Sequence, residues 1–175
     1  LLCLVITTSP AQSNTKAIDP LLTAIRNFQS RENKRDSALN HPLGSNSEAD
    51  FLRRYTFYDS VNKVLNGIKS DGLSFDEQVN LALLKYSIED DVYSYSYKGY
   101  LNPILADEGF HTGLASMGSQ VLGTKKEYEN YINRLKDIPR FVDEHLALMS
   151  QGLKLGICQP RSILNGYENT YVQHI

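Results

Sequence analysis

Two stretches of this chain open with the same device. Ser74 stands three residues before Glu77 and Thr124 three before Glu127, and behind each lies a long segment whose apolar residues recur every three or four positions. In such a box the hydroxyl accepts from the backbone N–H three residues on, while the carboxylate reaches back to the first N–H. Two donors at an open helix end are thereby satisfied together. No alternation of apolar and polar residues is long enough to set a strand against these helices, so the fold class expected is all-α. The pattern predicts an irregular bundle of about five amphipathic helices.

Asp19 and Pro20 supply an N-cap and a preset first-turn residue for a helix through Leu21, Leu22, Ile25 and Phe28. The polar stretch from about Glu32 to Asn46, broken by His41-Pro42 and Gly44, reads as a loop, and the mixed charges of Arg31 to Asp36 as a solvated segment. Ser47 caps a second helix carrying Phe51, Leu52, Tyr55, Tyr58, Val61, Leu65 and Ile68. The third, from Ser74, has one stripe of Leu81, Leu84, Ile88, Val92 and Tyr95. A second stripe of Val79, Leu83, Tyr86, Tyr93 and Tyr97 predicts a wide buried face touching two neighbours. Ile104 to Leu122 reads as a glycine-punctuated connection. The helix from Thr124 turns Tyr128, Tyr131, Ile132 and Leu135 inward, and Pro139, which lacks an N–H, should kink it or start a new one. Phe141, Val142, His145, Leu146, Met149 and Leu153 continue the apolar face to a cap at Gly156. A last helix carries Leu164, Tyr167, Tyr171 and Ile175 and stops without a cap, as a truncated one would.

At 175 residues, 41% hydrophobic, the chain can bury a core as one domain. A formal charge of -2 with scattered Lys and Arg offers no basic face to nucleic acid, and no apolar run is long enough to span a bilayer. Residues 1–13 read as the remnant of a signal peptide. Leu1 to Ile6 is its apolar core and Ala11-Gln12-Ser13 its exit, with the cut before Asn14 and no Met or basic segment ahead of Leu1. Residues 14–175 then form the helical segment, exported to the periplasm or cell envelope. With Cys3 removed, Cys158 is left without a disulfide partner and reads as a structural thiol.

The order Tyr128, Tyr131, Leu135, Pro139, Gly152, Gly156 and Pro160, with the phrase Leu81 to Tyr97 and the segment Gly109-Phe110-His111-Thr112, resembles the N-terminal part of the bacterial DUF885 proteins. That family looks like helical zinc metallopeptidases whose metal site lies much later in the chain. The resemblance implies that the parent protein is an exported, zinc-dependent hydrolase acting on peptides. This segment would then be the helical wall or lid over its cleft, partnered by a C-terminal catalytic portion. The other reading is a stand-alone helical binding or interaction module without catalysis.

The residues themselves carry no catalytic motif. The histidines at 41, 111, 145 and 174 never pair one turn apart around a Glu, the spacing that aims two imidazoles at one zinc, and Glu144-His145 faces Phe141 where an inverted motif needs His. No metal or cofactor ligand is therefore assigned within the chain. His111 is a candidate for the mouth of a substrate cleft, or a loop histidine bonding carbonyls. His145 reads as a core or boundary residue, and Glu89-Asp90-Asp91 as a solvated face. Tyr93 and Tyr97, in the tyrosine-rich end of the third helix, either line a peptide or sugar groove or pack between helices with wet hydroxyls.

Overall fold

The computed structural model describes residues 18–105 and 108–166. The leader at residues 1–13 and the terminal stripe of Tyr167, Tyr171 and Ile175 lie outside the described residues. Six α-helices follow one another among those described: α1 (Asp19–Leu39), α2 (Glu48–Gly67), α3 (Phe75–Ser96), α4 (Phe110–Ser116), α5 (Lys125–Lys154) and α6 (Arg161–Leu164). Single 3-10 turns stand at Gly99–Leu101 and Met117–Ser119. The all-α irregular bundle is the fold that forms, and the described residues hold no strand, just one isolated bridge between Ile104 and Gly109.

Asp19 does not cap α1, whose N-cap is Ile18 without a side-chain bond, so Asp19 and Pro20 stand in its first turn; three other helix starts follow the capping chemistry. Ser74 and Glu77 close a full box, as do Thr124 and Glu127. Ser47 closes a third with Asp50 in place of the usual Glu. The stops depart more from expectation. The polar stretch after Phe28 is helical as far as Leu39, so the loop read from about Glu32 shrinks to Asn40–Ser47. Polarity there marks a solvent-facing helix side, and the stop comes from Asn40 in the left-handed region at φ 56, just ahead of Pro42. The connection after Ile104 also folds in part, into α4 and the turn that follows it. Pro139 does not start a new helix, because α5 runs through it from Lys125 to Lys154 with one backbone donor missing.

The main core joins the first three helices. Ile25 and Phe28 of α1 meet Tyr58, Val61 and Leu65 of α2 and Leu81, Ile88 and Val92 of α3, with Leu65 at 0% exposure. Phe28 stacks on Phe57 at 3.9 Å between ring centroids. The second α3 stripe does not share this core: Val79, Leu83, Tyr86, Tyr93 and Tyr97 are all exposed. Tyr128, Ile132 and Leu135 of α5, expected inside, are exposed too. A smaller cluster of Tyr100, Leu101 and Leu148 ties α5 to the turn after α3.

That tie needs a glycine. A Cβ added at Gly152 would lie 2.7 Å from the Leu101 carbonyl oxygen and 2.8 Å from that of Ile157. The Ile157 N–H bonds the Gly152 carbonyl at 2.8 Å and the Gly156 N–H that of Leu153 at 3.1 Å, a Schellman closure around Gly156 at φ 73. Gly152→Ala should therefore force the turn off α5 and cost about 1–3 kcal/mol in urea unfolding. Gly67→Ala, at a helical site with nothing within 4 Å of the new methyl, should instead be neutral or stabilising by up to about 1 kcal/mol.

Candidate functional site

The end of α1 sets the position of the most polar part of the molecule. The Asn40 N–H closes on the Ser37 carbonyl at 3.1 Å and the His41 N–H on that of Asp36 at 2.8 Å, so the chain turns back and holds His41 beside Asp36. Gly44, at φ 83, completes a tight turn by donating to the His41 carbonyl at 2.9 Å. Ser45, 3% exposed, then lies between the two side chains. Its hydroxyl donates to Asp36 Oδ1 at 2.6 Å, so with its single proton spent it accepts from His41 Nδ1 at 2.8 Å. A nucleophilic serine hands its proton to the imidazole, and here the order is reversed. The chain is a structural relay that fixes the His41 tautomer.

Helix α5 grips the same loop through backbone contacts. The Leu43 N–H donates to Asp137 Oδ2 at 3.0 Å and the Asn46 N–H to Glu144 Oε2 at 2.8 Å. Arg140 donates to the Gly44 carbonyl at 2.8 Å while bonding Asp137 Oδ1 at 2.6 Å and Glu144 at 2.8 Å. From α2, Arg54 donates to the Ser45 carbonyl at 2.9 Å and lies over the Phe51 ring at 4.5 Å. Burial pushes the Asp137 carboxyl up, but the Arg140 guanidinium and the Leu43 N–H outweigh it and hold the group below the usual carboxylate range.

A second charged knot joins α1 to α2. Asp50, 3% exposed, accepts from the Ser47 N–H and hydroxyl, from Arg53 Nη1 at 2.8 Å and from Arg35. Arg53 also forks onto Glu32, at 2.9 Å and 2.6 Å. The charges read as a solvated segment thus include three engaged groups, Glu32, Arg35 and Asp36. Sequence spacing alone could have offered Glu32, Arg35 and Asp36 as one helical face, though not their partners.

Between the C-terminal half of α1 and the first half of α5 lies an open cleft of about 560 Å³ with this loop as its floor. Asn33, Asp36 and Asn40 stand on one wall, Asn130, Asn133 and Arg134 on the other, and His41 on the floor. None of these amides was legible as a site residue, since lone asparagines carry no motif.

The sequence-derived candidates fall in two other places. Tyr93 and Tyr97 sit together on the exposed side of α3, ring centroids 5.6 Å apart. His111 belongs to α4, where it borders Phe110 edge-on at 6.1 Å, and burial lowers its pKa. Phe110 in turn stacks on His145 at 4.2 Å. His145 is buried, as a core histidine should be, and its Nδ1 donates to the Phe141 carbonyl at 2.7 Å. Burial lowers its pKa more than that bond raises it. Cys158 is exposed. Among the described residues no three His, Cys, Asp or Glu side chains form a group able to hold a metal, and no helix is long and apolar enough to cross a membrane.

Asp50 gives the charged knot a measurable signature. Burial raises its pKa, yet the bonds from Ser47, Arg35 and Arg53 together drive it far below the ordinary value. A depressed folded-state pKa contributes stability that is fully present above the unfolded value of about 4 and is lost as pH falls toward the folded one. Unfolding free energy should therefore drop steeply below about pH 4. Asp50→Asn should cost about 1.5–3 kcal/mol at neutral pH, because it removes the charge that the Ser47, Arg35 and Arg53 bonds converge on, and should flatten that acid limb.

Beyond the chain itself, no curated protein and no solved structure matches it. A family model does, over residues 30–173, which include both walls of the cleft, the loop, and the apolar stripes of α3 and α5. The chain belongs to the family described as bacterial proteins of unknown function, DUF885.

Proposed function

We propose that this chain is the N-terminal helical wall, or lid, of an exported, zinc-dependent peptidase whose metal ligands lie in a catalytic portion outside these 175 residues. The observation that carries the reading is a stripe on α5. Tyr128, Ile132, Leu135, Pro139, Val142, Leu146, Met149 and Leu153 follow one another at alternating steps of four and three, the repeat that seams one long helix to another. Most of that seam is open, with Leu153 at 65% exposure. The parallel stripe on α3 is open as well, with Tyr86 at 76%. Isolated apolar residues on a surface need no explanation, but two contiguous helical stripes mark a face built to be covered.

The remaining polypeptide is the occupant that fits a seam running the length of a helix. A catalytic portion seated there would be held by α3 and α5, with Tyr93, Tyr97 and His111 at the rim of a peptide cleft. Zinc and peptide chemistry rest on the family resemblance of the framework residues, and export on the leader-like residues 1–13. The alternative, a stand-alone helical binding module, is favoured by the amide-lined cleft between α1 and α5.

Comparing residues 14–175 with a polypeptide continuing past Ile175 separates the two. The shorter chain should bind a hydrophobic dye, self-associate and retain no stoichiometric zinc after dialysis against a weak chelator. The longer one should be dye-silent and hold zinc, and Tyr97→Ala in it should raise KM for a peptide severalfold with little change in kcat. A monodisperse, dye-silent monomer of residues 14–175 would favour the module instead.

A further inference from the structure

We infer that the cleft between α1 and α5 binds the C-terminal end of an extended peptide, with Arg134 receiving the carboxylate. Its volume of about 560 Å³ lies within the range of roughly 300–1,000 Å³ typical of small-ligand sites, room for a few residues. Arg134 is the cation in it, and this guanidinium differs from those nearby. Arg53 and Arg140 are each claimed by carboxylates, whereas Arg134 forms no ion pair among the described residues and its buried Nε has no hydrogen-bond partner there. A guanidinium that lines a cleft with no protein carboxylate paired to it is the group there that a ligand carboxylate would bond.

The amides select what is attached to that carboxylate. Asn33, Asn40, Asn130 and Asn133 each offer an NH2 donor and a carbonyl acceptor, a combination matched by peptide groups, which present one of each. Asn33 lies about 9 Å along the axis from the last residue of α1, Leu39, and Asn40 stands just past it. An extended chain advances about 3.4 Å per residue, so the same span separates groups three residues apart on a bound peptide. Asn130 and Asn133 lie on the facing helix, with Arg134 next to Asn133. The asparagines would therefore hold backbone from both walls, with the terminal carboxylate against α5. The C-terminal end of α1 carries the negative pole of its dipole and suits peptide N–H groups rather than an anion. A sugar would find no phenyl, phenol or indole ring lining the cleft to stack on, and one unpaired cation is too few for a nucleic-acid backbone.

Acetyl-trialanine with a free carboxylate, titrated into the protein by calorimetry and by NMR of the asparagine side-chain amides, tests this beside its C-terminal amide. The free acid should bind saturably, and the amide about tenfold weaker or more. Arg134→Gln should remove that preference without shifting the melting temperature, since Arg134 holds no ion pair to lose. Asn133→Ala should weaken both peptides alike and keep the preference. Equal binding of the two peptides, absence of saturable binding, or acetate ion binding as tightly as the free acid would each overturn the assignment. None of these outcomes depends on zinc or on a catalytic portion, so this inference and the peptidase reading can fail separately.

Discussion

Arg140 is the residue through which α5 is joined to the Asn40–Ser47 loop. It bonds Asp137 and Glu144 on its own helix and the Gly44 carbonyl across the gap, while those two carboxylates take the N–H groups of Leu43 and Asn46. One guanidinium thus orients both acceptors that hold the loop. The apolar attachment of α5 is slight by comparison. Leu148 is its one buried aliphatic side chain, worth about 1.5–3 kcal/mol, whereas each hydrogen bond to a charged group contributes a similar amount, about 1.5–3 kcal/mol. Three such bonds across the gap make the polar clamp the larger share.

This division of labour explains the open surfaces. The main core is completed by α1, α2 and α3 among themselves, so α5 is not needed to cover it. Held along one edge by charge and at its C-terminal end by the close approach at Gly152, α5 leaves the four-three stripe of Tyr128 to Leu153 uncovered. The same geometry spreads α5 from α1 over the loop and creates the amide-lined cleft. Seam and cleft both follow from the way α5 is attached.

Much of the fold was legible in the sequence because its signals are local. The boxes at Ser74 and Thr124, the turn at Gly156 and the stripe from Leu81 to Val92 each depend on residues within a few turns of one another, and each formed as expected. The misreadings have a common cause. Helical polarity from Glu32 to Leu39 looked like loop because its carboxylates and guanidiniums find partners nine or more positions away, as Asp36 does in Ser45 and Arg35 in Asp50, 15 residues on. Periodicity showed that the second α3 stripe and the start of α5 were apolar, but it carries no information on whether a partner lies against them. The candidate site was the least legible part. Its walls come from helices separated by about a hundred positions, as the bond from Asn46 to Glu144, 98 residues apart, illustrates, and its amides belong to no motif. Tyr93, Tyr97 and His111 were singled out by composition and by family likeness, and they stand at the rim proposed for a cleft rather than within the one the helices enclose.

Hydrogen exchange at two backbone amides tests the dependence on Arg140 most directly. In the natural chain the N–H groups of Leu43 and Asn46 donate to Asp137 and Glu144 and should exchange slowly for a loop. In Arg140→Gln both should exchange about tenfold faster or more, since each acceptor loses the guanidinium that fixes it. The amides of Val61 and Leu65, inside the α1–α3 core, should keep their protection. Unchanged protection at Leu43 and Asn46, or an equal loss at all four positions, would contradict the view that α5 is a separately clamped helix.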